Sequence, residues 1–286
     1  AKLIVGKAIA VRSVNGPAAT RISGDYRIEI SHAGASFEDM TITGTKGIYM
    51  TAGTVRDCVM SNNYLEGTDG GAGIRMDSGL TERCVIRRNR TYATANASSY
   101  GGGLYLAGGT ARNCDVVGNE ATTHTGYGGA GYGGGVYMTG GVLESCTVSG
   151  NLVNKVAGAG GGVYRSGGTV MNTIIWNNTN ETALVRSDIG GTYPAGFVYT
   201  CSLDLPVSDG NIIGAPQFYN PGSGYGAAHV FGNYTLRSDS PCRNIGTNQA
   251  WMVGAGDVAG RQRLVGRVDL GAYEDPRVAG TIFIAR

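Results

Sequence analysis

Histidine occurs only three times in 286 residues, and charged residues make up only 15% of the chain. So little histidine, with cysteines spaced far apart, matches no zinc pattern, and no metal or cofactor is expected. A net charge of +2 without a basic cluster gives no electrostatic case for nucleic acid or an anionic membrane surface. No apolar run approaches the ~20 residues that span a bilayer, so direct membrane insertion is not expected. The opening "AKLIVGKAIAVRSVNG" lacks the pattern of a secretion signal and begins with alanine, which reads as a portion of a longer protein. Phenylalanine is also scarce, at five residues.

What is abundant is glycine, at 50 residues, and tyrosine, at 16. The glycines have no collagen period and alternate with β-branched residues, the composition of short strands joined by tight turns. They also recur within a phrase. "GIYMTAGTVRDCVMSNN" from Gly47 is rewritten as "GIRMDSGLTERCVIRRN" from Gly73, "GLYLAGGTARNCDVVGN" from Gly103, "GVYMTGGVLESCTVSGN" from Gly135 and "GVYRSGGTVMNTIIWNN" from Gly162. The copies start 26, 30, 32 and 27 residues apart, a constant unit joined by segments of 9, 13, 15 and 10 residues. A period of that size means a solenoid, each repeat burying its apolar side on the next.

Alternation inside the unit decides the type of solenoid. Ile48 and Met50 and their equivalents point one way, and the residues between them point the other. The second run alternates likewise, Cys58 facing as Met60 does. Two short strands per coil leave no room for a helix and predict an all-β fold, a right-handed single-stranded parallel β-helix. Coils stacked at ~4.8 Å convert each unit position into a ladder. Asn63, Asn89, Asn119, Asn151 and Asn178 form one ladder at a turn, hydrogen-bonded from coil to coil and tolerating left-handed backbone. Gly47, Gly73, Gly103, Gly135 and Gly162 mark a turn where a Cβ would clash. Cys58, Cys84, Cys114 and Cys146 form an interior ladder of reduced, inert thiols, because the stack spacing exceeds the ~3.5–4.5 Å between Cβ atoms that a disulfide wants. Cys201 and Cys242 lie in loop-like contexts outside the repeat, compatible with a disulfide or with two free thiols.

Residues 1–182 read as coils, with the signature repeats at 47–179 and two plainer coils upstream. Residues 183–275 read as irregular final coils and a C-terminal cap, and 276–286 as a tail or linker. No amphipathic cap precedes Lys2, so the first coil is expected to be covered by upstream residues, by a partner, or by end-to-end association with another copy.

The repeated "GG(V/L)Y…G…C.V.GN" unit, followed by "NIIGAPQF", "YTLRSDSPCRNIG" and "GRQRLVGRVDLGAYE", resembles the bacterial exported right-handed β-helix proteins described as choice-of-anchor or polymorphic-outer-membrane-protein-like. The resemblance covers most of the chain and is most specific at "VDLGAYE". It implies secretion or display at the cell surface, and pairing of Cys201 with Cys242. It implies no defined activity.

Parallel β-helices include enzymes acting on polysaccharides, but fold does not imply function. A glycosidase needs convergent carboxylates, and Asp57, Asp77, Glu82, Asp115 and Glu144 read as occupying unrelated unit positions. A lyase needs a base and a group that neutralises the substrate carboxylate. His124, Tyr127 and Tyr132 in the longest joining segment are the candidates, with Lys155 and Arg165 in later coils. The stronger candidate is an outward row of Tyr49, Arg75, Tyr105, Tyr137 and Tyr164, with Tyr92 and Tyr100 and the joining-segment tyrosines leading into it. Such rings can stack on sugars or anchor a protein, or simply stabilise the sheet by stacking on each other. The sequence therefore reads as a secreted or surface-displayed, non-catalytic binding protein directed at a glycan or a cell-surface protein. A lyase of acidic polysaccharide and a structural stalk or filament subunit are the alternatives.

Overall fold

In the computed structural model, which describes residues 3–124, 128–154, 158–180 and 185–276, each signature unit contributes three strands rather than two. From Gly47 the chain forms Ile48–Met50, Thr54–Arg56 and Val59–Ser61, and the segment leading to the next unit adds a fourth, Tyr64–Glu66. Repetition builds four principal sheets of eight, eight, seven and six strands, the first three wholly parallel, in a β-helix. The expectation of two strands is corrected by a corner inside the second run. Asp57, Arg83, Asn113, Ser145 and Asn172 adopt φ of 48–53° there, a left-handed conformation that turns the chain by leaving the extended region. The next residue in each coil is Cys58, Cys84, Cys114, Cys146 or Thr173, which points into the tube.

Registers are constant along the stack. Ile28, Ile48, Ile74, Leu104, Val136, Val163 and Ile189 are successive partners in the first sheet. They join the methionines, the cysteines and Met60, Ile86, Val116 and Val148 in one core. Each such side chain contributes about 1.5–3 kcal/mol on burial, and burial holds Cys58 at about 12 and raises Cys84 and Cys146 by the same cause.

The asparagine ladder is continuous. The side-chain amide of Asn63 donates to Asn89 at 2.9 Å, Asn89 to Asn119 at 2.9 Å, Asn119 to Asn151 at 3.0 Å and Asn151 to Asn178 at 2.9 Å. Asn178 donates in turn to the buried Asp188 carboxylate at 2.9 Å, and burial raises that carboxyl to about 7. The left-handed residue is not the ladder asparagine but the one before it: Asn62, Arg88, Gly118, Gly150 and Asn177. The glycine ladder does mark close approach, since a Cβ on Gly47 would stand 2.2 Å from the carbonyl oxygen of Ala72.

Beyond the repeat, Phe197–Val198 adds to the second sheet and Cys201 bridges Ile174 and Ile212. Residues 213–276 fold back along the outside of the third sheet, a placement that the cap expectation did not include. Val117 and Ile174 on that sheet form a second core with Phe218, Tyr234, Leu236, Cys242 and Leu270. Polar tethers reach across several coils: Trp251 Nε1 donates to Glu144 at 2.9 Å, the Ala272 amide to Thr147 Oγ1 at 3.0 Å, and the Tyr273 hydroxyl to Asp115. "VDLGAYE" is thus one of the segments that fasten this flank to the tube.

The expected pairing of Cys201 with Cys242 is corrected as well. The two side chains lie against each other, but no disulfide is formed. Both thiols are fully buried within the second core, which closes this region by apolar packing, and Cys201 Sγ donates to the Gly214 carbonyl at 3.2 Å. With all six cysteines free and buried, a thiol-reactive dye should label none in the native protein and all six after denaturation. Four labelled thiols after denaturation without reductant would mean the Cys201–Cys242 bond forms.

Candidate binding face

The alternation that sends Ile48 and Met50 inward sends Tyr49 outward, and strict register stacks its equivalents. Glu29, Tyr49, Arg75, Tyr105, Tyr137 and Tyr164 are successive partners on the outer side of the first sheet. A second row lies beside them, because Tyr100 and Tyr132 pair in a short extra sheet just upstream. Tyr100 and Tyr137 are 4.8 Å apart between ring centroids, Tyr105 and Tyr137 5.0 Å, and Tyr132 and Tyr164 5.0 Å. Tyr137 and Tyr164 stack with nearly parallel ring planes at 5.3 Å. Rings packed this way along the tube spend part of their faces on one another, the mutual stacking that the sequence left open beside ligand recognition. The hydroxyl of Tyr49 is tied to Asp77 at 2.7 Å. Those of Tyr100, Tyr105, Tyr132, Tyr137 and Tyr164 make no hydrogen bond to the described residues. Burial among its neighbours pushes Tyr137 up to about 12, so it stays a protonated donor.

At the N-terminal end the face opens into a cleft of about 330 Å³ lined by Arg27, Glu29, Tyr49, Asp69 and Arg75. The guanidinium groups of Arg27 and Arg75 each lie 5.5 Å from the Tyr49 ring centroid, and Arg75 lies 4.7 Å from that of Tyr105. Both are held by other protein groups: Arg75 by Asp77 at 3.2 Å and the Asp69 carbonyl at 2.7 Å, Arg27 by the Gly70 carbonyl at 2.9 Å. Burial lowers Arg27 to about 10, leaving it charged at neutral pH. Arg27 and Glu29 were missed in the sequence because their coil lacks the signature, although carrying the register back one coil from Tyr49 finds Glu29, and Asp69 because it lies in the variable segment joining two signature units.

Other candidates are placed elsewhere. Tyr92 belongs to the fourth sheet, stacked on Tyr64 at 6.4 Å and beside Arg90 at 5.5 Å, and so is not in the row. His124 is exposed just after the strand Glu120–Thr123, its backbone N–H donating to the Ala93 carbonyl. Tyr127 and Lys155 lie outside the described residues. The Arg165 guanidinium is committed to the carbonyls of Gly168 and Thr192. Glu82 and Glu144 do share a unit position, contrary to the sequence reading. Arg12, Glu38, Arg56, Glu82, Arg112 and Glu144 form a row of alternating charge on the second sheet. Its carboxylates are engaged, Glu82 with Arg112 at 2.7 Å and Glu38 with Arg56 at 3.1 Å. Among the described residues no three His, Cys, Asp or Glu side chains are placed to hold a metal ion.

No family model matches this chain, and neither the curated proteins nor the solved structures contain a significant match to it.

Proposed function

We propose that this protein binds glycans through the tyrosine face of its first sheet, acting as a secreted or surface-displayed adhesive module. The observation that carries the reading is the group of five tyrosine hydroxyls without hydrogen-bond partners among the described residues, gathered on one rigid platform beside a polar cleft. Buried tyrosine hydroxyls normally find partners within the protein; these five belong to half-buried rings and together offer a row of donors and acceptors to an external chain of hydroxyls. The platform is also preorganised, since each ring is fixed by its neighbours, which lowers the ordering cost of binding.

The stalk reading is favoured by a different observation, the stacking itself, which stabilises a β surface by about 0.2–1 kcal/mol per pair without any ligand. One substitution separates them. Tyr137→Phe keeps the ring and removes the hydroxyl, so glycan affinity should fall about 5–10-fold, the value of one or so net hydrogen bonds, with the thermal midpoint unchanged. Tyr137→Ala should lower both. Glycan-array binding combined with calorimetry reads the difference, and a Phe variant that binds like the parent leaves the face purely structural.

A further inference from the structure

We propose that the tyrosine face is a site of oxidative modification, where a peroxide-driven one-electron oxidant joins adjacent coils by carbon–carbon bonds between Tyr137 and Tyr164 and between Tyr100 and Tyr132. This goes beyond glycan binding and does not depend on it. Both pairs are register partners on neighbouring coils, so the sheets hold their backbones at the strand spacing of about 4.8 Å. The rings follow that spacing. Their centroids are 5.3 Å apart with planes 8° from parallel in Tyr137 and Tyr164, and 5.8 Å and 16° in Tyr100 and Tyr132. The other contacts in the group are steeper, 45° between Tyr105 and Tyr137, 59° between Tyr100 and Tyr137 and 62° between Tyr132 and Tyr164.

The chemistry uses this difference. A phenol that gives one electron to the oxidant and its hydroxyl proton to solvent becomes a radical, its unpaired electron shared between the oxygen and ring carbons including those ortho to it. The orbitals that hold it stand perpendicular to the ring. Two such radicals couple where those orbitals face each other, which near-parallel rings provide. The new bond joins one ortho carbon of each ring, and the hydrogens on those carbons move to the two oxygens, restoring both phenols. Two tyrosines thus lose two electrons and two protons, which reduce one hydrogen peroxide to two waters. Release of the hydroxyl protons is open, because all four rings are half-buried and their hydroxyls make no hydrogen bond to the described residues. Partners already in contact also spare the coupling step the entropy of encounter. Tyr64 and Tyr92 on the fourth sheet supply the comparison within the same molecule. They are offset by two residues in register, 6.4 Å apart and 29° from parallel.

The test treats the full chain, dilute, with a haem peroxidase and hydrogen peroxide, and reads dityrosine fluorescence, intact mass and cross-linked peptides. Expected is a monomer lighter by two hydrogen atoms per bond, with peptides joining Tyr137 to Tyr164 and Tyr100 to Tyr132. Tyr164→Phe keeps the ring but cannot be oxidised in this way, so it should remove the first bond, leave the second and cut the fluorescence to about half, and in denaturant, where register is lost, both named bonds should form roughly tenfold less. The oxidised parent should also unfold at higher denaturant than the untreated protein, since each bond closes a loop in the unfolded chain. Bonds formed chiefly between molecules, a Tyr64–Tyr92 bond as abundant as the named ones, named bonds that persist in denaturant, or oxidation without any dityrosine each overturn the proposal.

Discussion

Replacing Asn119 by alanine should cost about 3–5 kcal/mol of stability, far more than the loss of one small side chain. Asn119 Oδ1 accepts from both the backbone N–H and the amide of Asn89, at 3.1 and 2.9 Å. Its own amide donates to the Ile86 carbonyl at 2.8 Å and to Asn151 at 3.0 Å. The site is fully buried, so alanine strands several polar groups away from water, and each unmet partner costs about 1–3 kcal/mol. Asn119→Asp keeps the acceptor for Asn89 but loses the donor to Ile86 and buries a charge, and should be comparably damaging at neutral pH. Chemical denaturation measures both. A loss below about 1 kcal/mol for the alanine variant would show that the strand ladders alone hold the coils and the amide column adds little.

The second large effect belongs to Gly150. Asparagine stands at the equivalent corner in other coils, at Asn62 and Asn177 with φ of 53° and 61°, so Gly150→Asn restores the repeat pattern and is tolerated by the backbone. It should nevertheless destabilise the protein by about 2–4 kcal/mol, by overpacking. A Cβ on Gly150 would lie 2.4 Å from the imidazole of His229, and one on Gly118 2.8 Å from its Cβ. His229 locks the C-terminal flank into the hollow these glycines leave. Its Nδ1 meets the Gly224 carbonyl at 2.8 Å and its Nε2 the Tyr234 hydroxyl at 2.6 Å, while Arg88 Nη2 donates to its backbone carbonyl at 2.9 Å. His229→Ala should empty the hollow and make Gly150→Asn nearly silent in the double variant, a coupling that a mutant cycle reads directly. Full additivity would mean the overlap is relieved elsewhere.

The same contact carries a pH dependence. Burial, with Arg88 nearby, lowers the His229 pKa below its usual value. The native state then holds the imidazole neutral while the unfolded chain protonates near pH 6.5. Stability from the latch is complete above about pH 6.5 and is lost as pH falls toward the lower native pKa. The stability gap between the parent protein and His229→Ala should therefore narrow on acidification, with other buried groups cancelling in the difference.

The amino-acid sequence by itself determined the coil. A unit of constant length places Tyr49, Tyr105, Tyr137 and Tyr164 in one row and the asparagines in another, because strands have a side-chain period of two and stacked coils repeat whatever the unit contains. Reading the corner after Asp57 as part of one strand miscounted the sheets, since left-handed φ at Asp57, Arg83 or Ser145 has no single residue signature. Tertiary structure alone decided how the rings lean on each other, how Arg27 and Asp69 close a cleft around Tyr49, and where the last third of the chain lies. Those contacts join residues far apart in the chain, as Trp251 with Glu144 or His229 with Gly150. No repeat propagates them, and only the shape of the finished tube brings their partners together.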